Sequence, residues 1–63
     1  MVNLSDREFE IMELLAEGIT NADIQKRTGL TIGQIENTLY DLYNLFETTN
    51  RTQTVLKYLG YIK

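Results

Sequence analysis

The sequence predicts an all-α fold, and three observations predict it. Apolar residues recur at steps of three and four, the period of a helix with one buried face. Twice a hydroxyl residue stands three positions ahead of a Glu or Gln, Ser5 with Glu8 and Thr31 with Gln34, the pattern of a reciprocal helix cap. No stretch alternates with period two for long enough to make a strand, and the absence of proline leaves long helices unbroken.

The first helix is expected over residues 6–17. Ser5 and Glu8 cap its start, and Leu4 and Phe9 stand where a hydrophobic staple would clamp it. Phe9, Ile11, Met12 and Leu15 recur at helical spacing, and Gly18 supplies the stop. A short second helix, 21–28, begins after Thr20 or Asn21. Asp23 lies in its positive first turn, and Gly29 is suited to the left-handed residue after its end. The third, 32–46, repeats the capping box with Thr31 and Gln34, and the staple with Leu30 and Ile35. Its expected seam is Ile32, Ile35, Leu39, Leu42 and Phe46, spaced 3, 4, 3, 4. Thr49 or Asn50 caps a fourth helix over 51–59, with Val55, Leu56 and Leu59 in it and a stop at Gly60.

At 63 residues the chain makes one small domain, 1–63, with a thin core. It has no Cys and no His, so disulfides and imidazole or thiolate metal sites are excluded. No carboxylate pair has an evident apolar pocket and Ser5 is taken by a cap, so an enzyme is not expected. Glu10, Glu13 and Glu17 form an acidic stripe, read as a solvated face rather than an ion site. No cofactor and no small-molecule ligand is expected. No apolar run reaches the roughly 20 residues of a membrane span, and the start MVNLSDREFE lacks the features of a signal peptide. The expected location is the cytoplasm, with no membrane contact.

Six basic against nine acidic side chains give a net charge of −3. That balance opposes simple nucleic-acid binding without excluding a local basic patch. Two helices joined through Gly29-Leu30-Thr31 make the corner of a helix-turn-helix, whose second member projects and, in DNA-binding examples, enters the major groove. The same pattern also suits a four-helix bundle in which the corner has no role in binding.

The residues themselves resemble the LuxR-type (GerE-like) helix-turn-helix domain, which also occurs alone in small regulators of spore formation. Leu4-Ser5-Asp6-Arg7-Glu8-Phe9-Glu10 looks like the family opening L-[ST]-x-R-E-x-E, and Leu15-Ala16-Glu17-Gly18-Ile19-Thr20-Asn21 its L-A-x-G-x-[ST]-N. Asp23-Ile24, Gly29-Leu30-Thr31, Asn50-Arg51-Thr52-Gln53 and Val55 continue the likeness in order and without gaps. It extends from Leu4 to Ile62, with a last helix about two residues shorter than usual.

The resemblance implies a four-helix domain of a bacterial or phage transcription regulator, with the third helix reading DNA and the fourth supporting dimerisation. Such a domain usually follows a receiver or ligand-binding domain. With Met1 opening this chain, the expectation is control through expression level or a partner.

The departures fall where the family carries charge. Glu36 and Leu45 stand at positions typically Lys, Ala22 where Lys is frequent, and Glu47 where Gly usually ends the helix. From Gly33 to Asn50 there is no Lys or Arg, while Glu36, Asp41 and Glu47 are acidic. The reading helix is thus atypically acidic.

Projected as a helix, Gly33, Gln34, Asn37, Tyr40, Asp41 and Asn44 point away from the seam. Gln34 and Asn37 suit adenine edges, a carboxylate at Asp41 or Glu36 suits cytosine, and Thr31 suits a phosphate; a solvated helix face is the alternative. Lys26, Arg27, Arg51 and Lys57 are the expected cations, with Arg51 and Asn50 beside the phosphate-binding start of the last helix. Leu45, Val55, Tyr58, Leu59 and Tyr61 are the expected protein-contact residues.

Two functions are open. One is a regulator binding duplex DNA, weakly and salt-sensitively, as a homodimer or with a partner. The other is an antagonist that pairs with or masks a LuxR-type regulator and binds DNA poorly or not at all.

Overall fold

The computed structural model describes residues 3–61, without the side chain of Tyr61, so the contact role expected of Tyr61 lies outside the described residues. Four helices follow in order: α1 (Asp6–Ala16), α2 (Asn21–Thr28), α3 (Ile32–Phe46) and α4 (Arg51–Tyr61). Among the described residues there is no strand, and no helix is long and apolar enough to cross a membrane.

Both capping boxes form. The Ser5 N–H donates to Glu8 Oε1 at 2.8 Å and the Glu8 N–H to Ser5 Oγ at 3.2 Å. The Thr31 N–H donates to Gln34 Oε1 at 2.9 Å and the Gln34 N–H to Thr31 Oγ1 at 3.1 Å. Thr20 caps α2 by accepting from the Asp23 N–H at 3.3 Å. Asn50 caps α4, its Oδ1 accepting from the Gln53 N–H at 2.9 Å. Each side chain satisfies a donor that the first helical turn leaves orphaned.

The helix ends explain a substitution the sequence showed without its consequence. Gly18, at φ 81°, closes α1: its N–H reaches the Leu15 carbonyl and that of Ile19 the Leu14 carbonyl. This is a Schellman turn. The end of α3 has the same wiring, from Glu47 N–H to the Asn44 carbonyl and from Thr48 N–H to the Tyr43 carbonyl. There the left-handed residue is Glu47, at φ 55°, where a side chain is disfavoured. Lys57 offsets this by donating from Nζ to the Phe46 carbonyl at 2.9 Å, a cation at the negative end of α3. Gly60 does not stop α4. It keeps a helical φ, and the helix runs on to Tyr61, because glycine weakens a helix without breaking it.

Ile11, Met12, Leu14, Leu15, Ile24, Ile35, Leu39, Leu42, Phe46 and Tyr58 form the buried core. Four expectations need correction. Ile32 is 39% exposed, since the first turn of α3 projects past the core and Thr38 fills the seam's flank instead. Phe9 is 51% exposed, and only Leu4 of the expected staple packs against the core. Tyr58 is 4% exposed, its ring edge-on to Phe46 and its hydroxyl donating to Glu13 Oε2. Glu13 is therefore half-buried rather than part of a solvated stripe.

Candidate nucleic-acid interface

The corner between α2 and α3 is pinned by one hydroxyl. Thr28 Oγ1 donates to the Ile24 carbonyl at 2.7 Å and accepts from the Leu30 N–H at 3.2 Å. Gly29, at φ 75°, turns the chain left-handed, and its N–H bonds the Gln25 carbonyl. Thr31 then restarts the chain as a helix. The result sends α3 off with Ile35, Leu39, Leu42 and Phe46 inward and Gly33, Gln34, Asn37, Tyr40, Asp41 and Asn44 in solvent.

The outward residues are not equivalent. Gln34 holds its Oε1 on the Thr31 N–H, so its amide nitrogen is the more available half. A bidentate grip on adenine would compete with the cap. Thr31 Oγ1 accepts within the box and keeps its hydroxyl proton for donation. Asn37 and Asp41 are exposed, and with Gln34 they line an open groove of about 520 Å³ against the start of α1, walled by Ser5, Arg7 and Glu8. Arg7 is the cation that sequence reasoning passed over. It lies far from α3 along the chain, and only the α1–α3 packing brings it there. Lys26 and Arg27 are exposed in the last turn of α2, next to the corner. Tyr40 is 62% exposed and meets Tyr43 edge-on at 6.2 Å between centroids.

Two expected phosphate ligands have structural employment. Arg51 is half-buried and donates from Nη1 to Asn21 Oδ1 at 3.1 Å and from Nη2 to the Ile19 carbonyl. Lys57 is the α3 cap described above. Asn50, though exposed, has its Oδ1 on Gln53.

The expected protein-contact residues divide. Tyr58 belongs to the core and Val55 packs against it, whereas Leu45 and Leu59 are exposed. Leu56 is 65% exposed. With Leu15, Ala16, Gly18, Arg51, Thr52 and Val55 it lines an apolar groove between α1 and α4.

A short helix, a glycine corner and a longer helix with a polar outward face, packed on two supporting helices, define a helix-turn-helix domain. The chain belongs to the LuxR family of bacterial regulatory proteins, whose description matches residues 2–58. It is 35% identical over 54 residues to the "Putative HTH-type transcriptional regulator YhjB" of Escherichia coli (strain K12). That alignment covers 86% of this chain and 27% of the relative, so the chain spans about a quarter of that protein's length. No solved structure matches the chain.

Proposed function

We propose that the chain is a small transcription regulator that binds duplex DNA in the cytoplasm, as a homodimer or with a LuxR-type partner. The carrying observation is the exposed polar face of α3, set immediately after a glycine corner that Lys26 and Arg27 flank. In this reading α3 enters the major groove, where Asn37, the Gln34 amide nitrogen and Asp41 meet base edges. Thr31, Lys26, Arg27 and Arg7 hold phosphates, and Asn50 offers its amide nitrogen to the backbone. Leu45, Val55, Leu56 and Leu59 pair the protomers.

Anisotropy with a random-sequence duplex at low salt tests this. Binding on the order of 10–100 µM is expected. With three cations engaged per protomer, at about 0.9 each, the salt slope should lie near −2.7 per protomer, about −5.4 for the homodimer. Lys26→Ala together with Arg27→Ala should remove about two-thirds of that slope.

A second reading is favoured by a specific observation. Arg51 and Lys57 spend their charge on carbonyl groups of the protein, while α3 shows Glu36, Asp41 and Tyr40 to solvent. For its family this reading helix is short of cations. A domain so built would mask or pair with a LuxR-type regulator and repel phosphate. No duplex binding at roughly 100 µM, together with a stable complex with such a regulator, would favour this reading over the first. Glu36→Lys should create or strengthen duplex affinity under either reading.

A further inference from the structure

We infer that Arg51 is a positioning residue: it holds the start of α2 against α4, so that the α2–α3 pair is presented at a fixed angle, and it does not serve as a phosphate ligand. As a role in DNA binding this rests on the reading proposed above.

The geometry carries it. One guanidinium spans two acceptors, the side chain of the first residue of α2 and a carbonyl of the loop before it. Both acceptors are about thirty residues away in the chain, while the other contacts at the start of α2 are local: the Thr20 cap and the Ile24 N–H on the Thr20 carbonyl. α2 has eight residues and a single buried side chain, Ile24; it packs along α3, and Ile19 and Leu30 on either side of it rest on the core, so the Arg51 fork is the polar bond that ties its first turn to α4. A planar fork that meets two acceptors at once restrains an angle as well as a distance, and a point-charge ammonium does not. Arg51 also lines the apolar α1–α4 groove.

Two variants separate positioning from phosphate contact. Arg51→Lys keeps the charge and loses the fork. Asn21→Ala keeps Arg51 whole and removes one acceptor. If Arg51 positions α2, both should weaken duplex binding about tenfold, and the double variant should be no weaker than either single one. If Arg51 is a phosphate ligand, Arg51→Lys should bind nearly as the unaltered chain does. Asn21→Ala, by releasing the guanidinium, should bind as well or better. That result overturns the inference.

Amide exchange is read on the same proteins without DNA. In both variants the amides of residues 24–28 should exchange about tenfold faster, while those of α1 keep their protection. Equal acceleration throughout the molecule would mean a merely global loss of stability and would also overturn it. Failure of the unaltered chain to bind duplex defeats the DNA reading alone, because the exchange measurement still reports whether Arg51 restrains α2.

Discussion

The α1–α4 side and the α2–α3 side of the molecule are held by different means. On the first, side chains bond across the fold: Tyr58 to Glu13, and Lys57 to the end of α3. Thr54 is completely buried, with its hydroxyl on the Asn50 carbonyl and against that of Thr48. On the second, the polar bonds are local except for the Arg51 fork, which reaches Asn21 and the Ile19 carbonyl from α4. Thr20, Thr28, Thr31 and Gln34 each serve backbone groups two to four residues away. The outer face of α3 therefore contributes almost nothing to the fold beyond its cap. Its residues are open to recognition, whereas the opposite side fixes where they stand.

The largest effect that would sharpen this contrast comes from the core that both sides share. Leu42 is completely buried on α3, and Leu42→Ala should cost about 3 kcal/mol, measured by urea denaturation. In a domain of this size that is a large part of the total.

Next comes the cross-fold bond. Tyr58→Phe should cost about 1 kcal/mol. It should also change the alkaline limb of stability. Burial, with the Glu13 hydrogen bond and then the Glu13 charge reinforcing it, pushes the Tyr58 hydroxyl from 10.0 up to about 12. The folded form thus holds this proton more tightly than the unfolded chain. The corresponding stability is fully present below pH 10 and is lost as pH rises towards 12. Melting temperatures across that window should fall more steeply for the unaltered chain than for Tyr58→Phe. Equal slopes would show that the hydroxyl is not held as described.

An effect of similar size and opposite sign is expected at the end of α3. Glu47→Gly removes a left-handed side chain and a negative charge from the helix C-terminus, and should stabilise by about 1 kcal/mol. The smallest change in stability belongs to the outer face. Asn37→Ala should alter unfolding free energy by under about 0.5 kcal/mol while weakening duplex binding about tenfold. A large stability loss there would break the contrast between the two sides.

What was legible in the sequence follows the same division. Ser5 with Glu8, Thr31 with Gln34, and Gly18 and Gly29 act over a few residues, so their roles could be read from spacing. The inward positions of α3 after its first turn could be read the same way. Tyr58 could not be placed, because its burial depends on where α1 lies relative to α4, and tyrosine suits surface and interior alike. Arg51 looked like a phosphate ligand because a cation beside a helix start fits that role. The acceptors it holds in the fold, Asn21 and the Ile19 carbonyl, are set by tertiary packing across some thirty residues. Arg7 was missed for the same reason. Glu47 was visible as a departure from glycine, but its left-handed backbone was not, since no local rule places a Glu there.

α4 sends one side chain to each of the other helices or their approaches: Tyr58 to α1, Arg51 to α2 and Lys57 to α3. During synthesis that segment emerges after the three it fastens. Until it clears the ribosome the nascent helices have caps but no latch, and Phe46 lacks the Tyr58 ring that meets it edge-on.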